Sequence, residues 1–169
     1  MGAGSGEAGF EEFVAARYPA LRRTAYLLCG DWHAAEDLVQ GALVKLYARW
    51  RRLREPDKAG AYARTVMVRD HIDGLRRRSS TELSLPEPPE TQAARVPDSD
   101  RQLALRAALA ELRPQYRAVL VLRYWEDQTV AETARVLGLA EGTVRSDAHR
   151  ALGKLREVLG DSVLDLVAD

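Results

Sequence analysis

The sequence predicts an all-α protein made of two small helical domains on a flexible tether, and three observations carry that prediction. Alanine, leucine and arginine dominate the 169 residues, and the aromatic share is only 7%; this favours small helical cores over a sandwich. Along most of the chain apolar residues recur at spacings of three and four, the period of a helix with one buried face. That period lapses from Ser79 to about Asp100, where Pro86, Pro88, Pro89 and Pro97 stand among scattered acids, a composition that reads as an extended linker. The expected division is a first domain over 10–79, an acidic linker over 80–100 and a second domain over 101–159. The length suffices for one ordinary domain or two small ones.

Residues 1–9 are small and glycine-rich, and disorder is expected there. Phe10, Phe13, Val14, Leu21, Ala25 and Leu28 then share a helical face, with Pro19 as a kink or restart. Cys29-Gly30-Asp31 ends this helix and caps the next, which spans roughly Ala34 to Leu53. Leu38, Ala42, Leu43, Leu46 and Trp50 form its buried stripe, leaving Glu36, Asp37 and Gln40 outward. Acids at a helix start either complement the helix dipole or offer a partner site. Pro56 breaks the chain, Asp57 can cap, and a third helix is expected from about Lys58 to Arg78. Tyr62, Thr65, Val66, Arg69, Ile72 and Arg76 lie along it. The three arginines that finish it, Arg76, Arg77 and Arg78, favour the dipole and equally suit phosphates.

Beyond the linker, Leu105, Ala108, Leu109 and Leu112 mark a helix ended by Arg113-Pro114. Pro114 suits the first position of the following helix, through Tyr116, Val119, Leu120 and Tyr124 to Trp125. Thr129 with Glu132 three residues on is a capping-box pattern, and Val130, Ala131, Ala134 and Leu137 follow at helical spacing. Gly138 can turn left-handed and stop that helix. Another begins near Glu141, with Val144, Ala148, Ala151, Leu152, Leu155 and Leu159 on one face. Two helices on a glycine turn, with alanines where they cross, make a helix-turn-helix. The outer face of its second helix carries Gly142, Ser146, His149, Arg150 and Gly153, flanked by Arg145 and Lys154. Those side chains can donate to base edges and phosphates, or simply form the solvated face of a bundle helix. The acidic last ten residues are expected to be a short frayed helix.

The net charge of zero is unevenly spread. Residues 10–80 carry 14 basic and 9 acidic groups, 81–100 carry 1 and 5, and 101–157 carry 10 and 7. Two basic blocks joined by an acidic connector fit two separate contacts with an anionic partner. The single cysteine, Cys29, excludes an internal disulfide and a cysteine-cluster metal site, and reads as a small buried hydrophobe. His33, His71 and His149 lie far apart without the carboxylate spacing of a metal site or a nucleophile's base, so no catalytic residue, metal or cofactor is expected. No apolar run approaches the ~20 residues that span a membrane, and the opening residues lack a signal-peptide pattern. A cytoplasmic location without membrane contact is expected.

Four stretches carry a resemblance to a known family. His33-Ala34-Ala35-Glu36-Asp37-Leu38-Val39-Gln40 resembles the DAEDLVQ signature of region two of the bacterial sigma-70 family, extracytoplasmic-function (ECF) group. Arg69 to Arg78, reading RDHIDGLRRR, is similar to that family's RNLAIDxLRRR segment. Leu112–Leu120 and Glu141–Ser146 resemble region four. The resemblance runs in the right order from Phe10 to Leu159. It implies a three- or four-helix region-two bundle, a region-four helix-turn-helix bundle, and a specificity subunit of RNA polymerase without catalytic activity. Glu36, Asp37 and Gln40 would dock on the β′ clamp helices of core polymerase, and region four would meet the β flap. The helix from Ala61 to Arg78 would melt and hold the minus-ten element. Unpairing a base costs a few kcal/mol, so a pocket and a stacking partner such as Tyr62 are needed. Arg69 and Asp73 would belong to that site, with Arg76, Arg77 and Arg78 on the DNA backbone. Arg145, Ser146, His149, Arg150 and Lys154 would engage the minus-thirty-five element in the major groove. The acidic linker would thread toward the RNA exit channel, and an anti-sigma factor masking the domains is expected for the group.

The sequence departs from the pattern at four places. Arg69 stands where the family usually has asparagine, Gly41 where glutamate is common, Ala140 where serine usually caps, and Asp147 where a polar or basic residue is typical. Base preference at both elements is therefore left open. The alternative function is a two-domain helix-turn-helix regulator that acts on an operator without polymerase. An enzyme is disfavoured; a nuclease, for example, needs clustered metal-binding carboxylates, and the acids here are dispersed.

Overall fold

The computed structural model describes residues 3–53, 55–80 and 100–160. Seven α-helices account for most of them: α1 (Ala3–Cys29), α2 (Trp32–Trp50), α3 (Ala59–Ser80), α4 (Asp100–Ala110), α5 (Pro114–Leu120), α6 (Val130–Leu137) and α7 (Glu141–Leu159). A 3-10 turn, Pro56–Lys58, leads into α3, and a π-helical turn, Val121–Trp125, follows α5. No strand occurs among the described residues. The chain divides into two compact units, 1–71 and 72–169, so that α3 contributes to both.

The first unit is built on α1 lying against α2. Leu21, Ala25 and Tyr26 of α1 are buried with Ala35, Val39, Ala42, Leu43 and Leu46 of α2 and with Ala59, Ala63 and Met67 of α3. The stripe of α2 thus sits deeper at Ala35 and Val39 than the expected set, and Leu38 and Trp50 are only half-buried. Side-chain links tie α3 to this pair: Lys45 bonds both carboxyl oxygens of Asp70 at 2.7 Å, and the Cys29 Sγ lies 3.7 Å from Nδ1 of His71. Cys29 is therefore half-buried beside a histidine rather than sealed in the core.

Two expectations about α1 are corrected. The helix begins at Ala3, not after a disordered lead of nine residues. Tertiary packing outweighs the weak propensity of its glycines: Phe10 stacks edge-on against Tyr47 and Trp50 at 4.9 and 5.2 Å, and the Tyr47 hydroxyl donates to Glu7 at 3.1 Å. Nor does Pro19 restart the helix, which continues through it to Cys29. The ring lies exposed on the solvent side, where a lost backbone bond is most easily replaced by water.

In the second unit α4, α5 and α6 all pack on α7. Leu105, Ala108, Leu109, Leu112, Val119, Leu120, Leu122, Val136, Leu137, Val144, Ala151 and Leu155 are buried there. The helix expected to run unbroken to Trp125 instead widens after Leu120, with Glu126 N–H bonding back to the carbonyl of Val121. Asp127 then takes a left-handed φ of 48°, and the Arg123 guanidinium donates to the carbonyl of Gln128, fastening the turn before α6. The ends of the expected linker are helical, since Ser80 closes α3 and Asp100 opens α4. The remainder, 81–99, and the expected frayed tail at 161–169 lie outside the described residues. No described helix is long and apolar enough to cross a membrane.

Candidate nucleic-acid and partner interfaces

The start of α2 is locally specified. Gly30 takes a φ of 75° and ends α1. Asp31 is in extended conformation, and its side chain accepts from the Ala34 N–H at 2.8 Å, satisfying a donor that the first turn leaves free. Of the three acidic or amide groups expected to face outward, the structure separates one from the others. Glu36 is half-buried and paired with Arg22 of α1 at 2.7 Å. The same guanidinium lies 4.2 Å over Trp32, whose ring stacks on Tyr26 at 3.8 Å. Asp37 and Gln40 are exposed. With Gly41 and Val44 they follow the i, i+3, i+4, i+7 pattern of one helical face. Val44 is 69% exposed, and a Cβ built on Gly41 meets nothing within 4 Å. Val44 was not anticipated, although its position seven residues after Asp37 puts it off the buried stripe.

Along α3, Tyr62 is half-buried against the core, with the Arg49 guanidinium over its ring at 5.4 Å. Arg69, Asp73, Arg76, Arg77 and Arg78 are exposed. Asp73 lies 3.8 Å from Arg76, one turn on. Arg77 and Arg78 occupy the last turn, where a helix presents its negative end. The last turns of α3 thus offer a band of cations facing water.

The helix-turn-helix is set by its own caps. The Thr129 hydroxyl accepts from the Glu132 N–H at 3.1 Å, and the Glu132 carboxylate accepts from the Thr129 N–H at 2.8 Å. The Thr129 N–H bond first, then the Thr129 hydroxyl donating to the same carboxylate at 2.8 Å, with Arg135 nearby, hold the Glu132 carboxyl below its ordinary pKa. Gly138 closes α6 with φ 66° and ψ 35°, a conformation that a Cβ would strain. Ala140 enters α7 in extended conformation without a side-chain cap.

On α7, Arg145, His149, Arg150 and Lys154 are exposed and Ser146 is half-buried. Arg145 pairs with Glu141 at 3.0 Å, and the Ser146 hydroxyl donates to the carbonyl of Thr143 at 3.0 Å. The Lys154 amine sits 5.8 Å over the Tyr116 ring of α5. Asp147 is only 4% exposed and accepts a 2.7 Å hydrogen bond from Nε2 of Gln115, so it points into the unit and not toward a groove. At 100° per residue Asp147 lies at the edge of the buried stripe, about 40° round from Ala151, where its carboxyl can reach α5. Among the described residues no group of three His, Cys, Asp or Glu could hold a metal ion.

Comparison with known proteins agrees with this architecture. Residues 13–81 match the family model for sigma-70 region 2, and 102–155 that for sigma-70 region 4. The chain is 42% identical over 160 residues to the RNA polymerase sigma-E factor of Streptomyces avermitilis, covering 92% of this chain and 88% of the relative. It is 35% identical over 150 residues to the ECF RNA polymerase sigma factor SigL of Mycobacterium tuberculosis, with 82% of each covered. Among solved structures, the sigma factor RpoE of Bartonella quintana, crystallised in complex with the anti-sigma factor NepR, superposes with a TM-score of 0.71 at 26% identity. That match covers 90% of this chain and 97% of RpoE. The chain belongs to the sigma-70 family of bacterial RNA polymerase sigma factors, in its extracytoplasmic-function group.

Proposed function

We propose that this sigma factor, which binds core RNA polymerase and directs it to promoters, does so through four contacts of its own chain. Asp37 and Gln40, with Glu36 beside them, dock on the β′ clamp helices, and the 101–159 domain meets the β flap. Tyr62, Arg69, Asp73, Arg76, Arg77 and Arg78 of the 10–79 domain engage the minus-ten element, the arginines through its phosphates. Arg145, Ser146, His149, Arg150 and Lys154 engage the minus-thirty-five element. The observation that carries the reading is the outer face of α7: His149 and Arg150 stand exposed on a helix whose approach is defined by a capping box and a left-handed glycine. A second helix held in this way is the element that enters a major groove.

The factor acts as a regulator of initiation and not as an enzyme, in the cytoplasm where core polymerase works. An anti-sigma factor is proposed as its antagonist, on the strength of the complex formed by the Bartonella quintana relative. The deciding experiment mixes purified chain and core polymerase with a library of genomic fragments and sequences the run-off transcripts. Transcripts from defined start sites support the reading. Binding to DNA with no transcript and no complex with core polymerase would favour an operator-binding regulator.

A further inference from the structure

The buried Asp147 sits in the middle of the helix that faces DNA, one residue after Ser146 and two before His149, yet its carboxyl is turned inward to Gln115 at 2.7 Å. The next residue of α5, Tyr116, holds Lys154 of α7 under its ring at 5.8 Å. Adjacent residues of α5 therefore grip α7 at two points about 10 Å apart along its axis. The second is a loose, exposed contact; the first is short, directional and nearly dry. We propose that the Gln115–Asp147 bond is a positioning brace that sets the rotation of α7 about its own axis, and so determines how sharply its outer residues discriminate bases.

The lever is geometric. A side-chain head stands roughly 6 Å from a helix axis, so a 20° roll of α7 displaces the Arg150 and His149 heads by about 2 Å. Hydrogen bonds to base edges tolerate only a few tenths of an ångström, whereas phosphates are met by a flexible charge. Loss of the brace therefore lowers discrimination while leaving general attraction to DNA. Deleting an acid from the reading helix, by itself, strengthens binding to every sequence alike; a ratio of two affinities cancels that effect.

The inference rests on the reading of α7 given above, and its test separates the two. The full-length chain bound to core polymerase selects duplexes from a random library. Affinity is then measured for a selected duplex and for the same duplex with its minus-thirty-five half scrambled. Gln115→Ala and Asp147→Ala each reduce this ratio about tenfold, the double variant is no worse than either alone, and Asp147→Asn, which keeps an acceptor oxygen, stays within about twofold of the parent. Should Asp147→Ala unfold the unit, judged by circular dichroism, Gln115→Ala at its half-buried position decides. An unchanged ratio for Gln115→Ala, or an Asp147→Asn variant as impaired as Asp147→Ala, overturns the brace. Arg150→Ala is the control: if it too leaves the ratio unchanged, α7 does not read DNA and both proposals fall.

Discussion

Replacing Gly41 with alanine should stabilise the first unit, and the size of the gain follows from where the glycine sits. It lies mid-way along the 19-residue α2, exposed, with open space where a Cβ would go. No contact is lost or gained, so the effect is the intrinsic difference between glycine and alanine in a helix interior. That difference is ~0.8–1.0 kcal/mol, chiefly through a less disordered unfolded chain. For a unit of this size it corresponds to a rise of about 3–6 °C in Tm, or of about 0.5–1 M in the urea midpoint. Trp32 and Trp50 both lie in the first unit, and Trp125 in the second. Urea titration followed by tryptophan fluorescence in a Trp125→Phe background therefore reports the relevant transition. The same change at Gly138 must have the opposite sign, because φ there is 66°; forcing alanine into that region costs about 1–2 kcal/mol. A Gly41→Ala variant no more stable than its parent would refute the account of α2 as a regular helix whose middle is free of contacts.

Other outcomes follow from the second unit. Ala140→Ser should add the missing cap to α7, since the backbone there is already extended; a gain of about 0.5–1 kcal/mol in a thermal melt is expected, and no gain would mean that the α7 N–H groups are already satisfied. Because its carboxyl is held below its ordinary pKa in the fold, Glu132 contributes stability that is present above that ordinary value and lost as pH falls through the lowered one. Glu132→Gln should remove that part of the acid dependence, which sets in only as pH falls below the ordinary glutamate pKa, seen in melts of the full chain; an unchanged pH profile would show the capping bond to be energetically silent. Arg150→Ala should weaken binding to a selected duplex in the holoenzyme by about 1–3 kcal/mol, measured by competition, whereas equal loss on scrambled DNA would assign Arg150 to phosphate alone.

What could be read from residues alone was what residues a few positions apart decide. Thr129 and Glu132, Gly138, Asp31 and Pro114 act on their own helix ends, and each stands where its chemistry suggested. What the residues alone leave out involves partners distant in sequence. The helical start of α1 depends on Phe10 meeting Tyr47 and Trp50. Glu36 is drawn back by Arg22, 14 residues earlier, and Asp147 by Gln115, 32 residues earlier. No periodicity contains those pairings. The π-helical turn was equally hidden, because Val121–Trp125 is unexceptional in helix propensity and its widening is a backbone event.

The central place of α7 has a thermodynamic consequence. Since α4, α5 and α6 each pack on it, the rod that would grip the groove is also the spine of the whole half-molecule. A duplex that engages only the ordered spine draws the population away from every partly melted form, so its binding energy is shared by all four rods as resistance to heat. Docking and consolidation would then be one event, and a lesion deep under the spine would register first as a loose grip on the promoter.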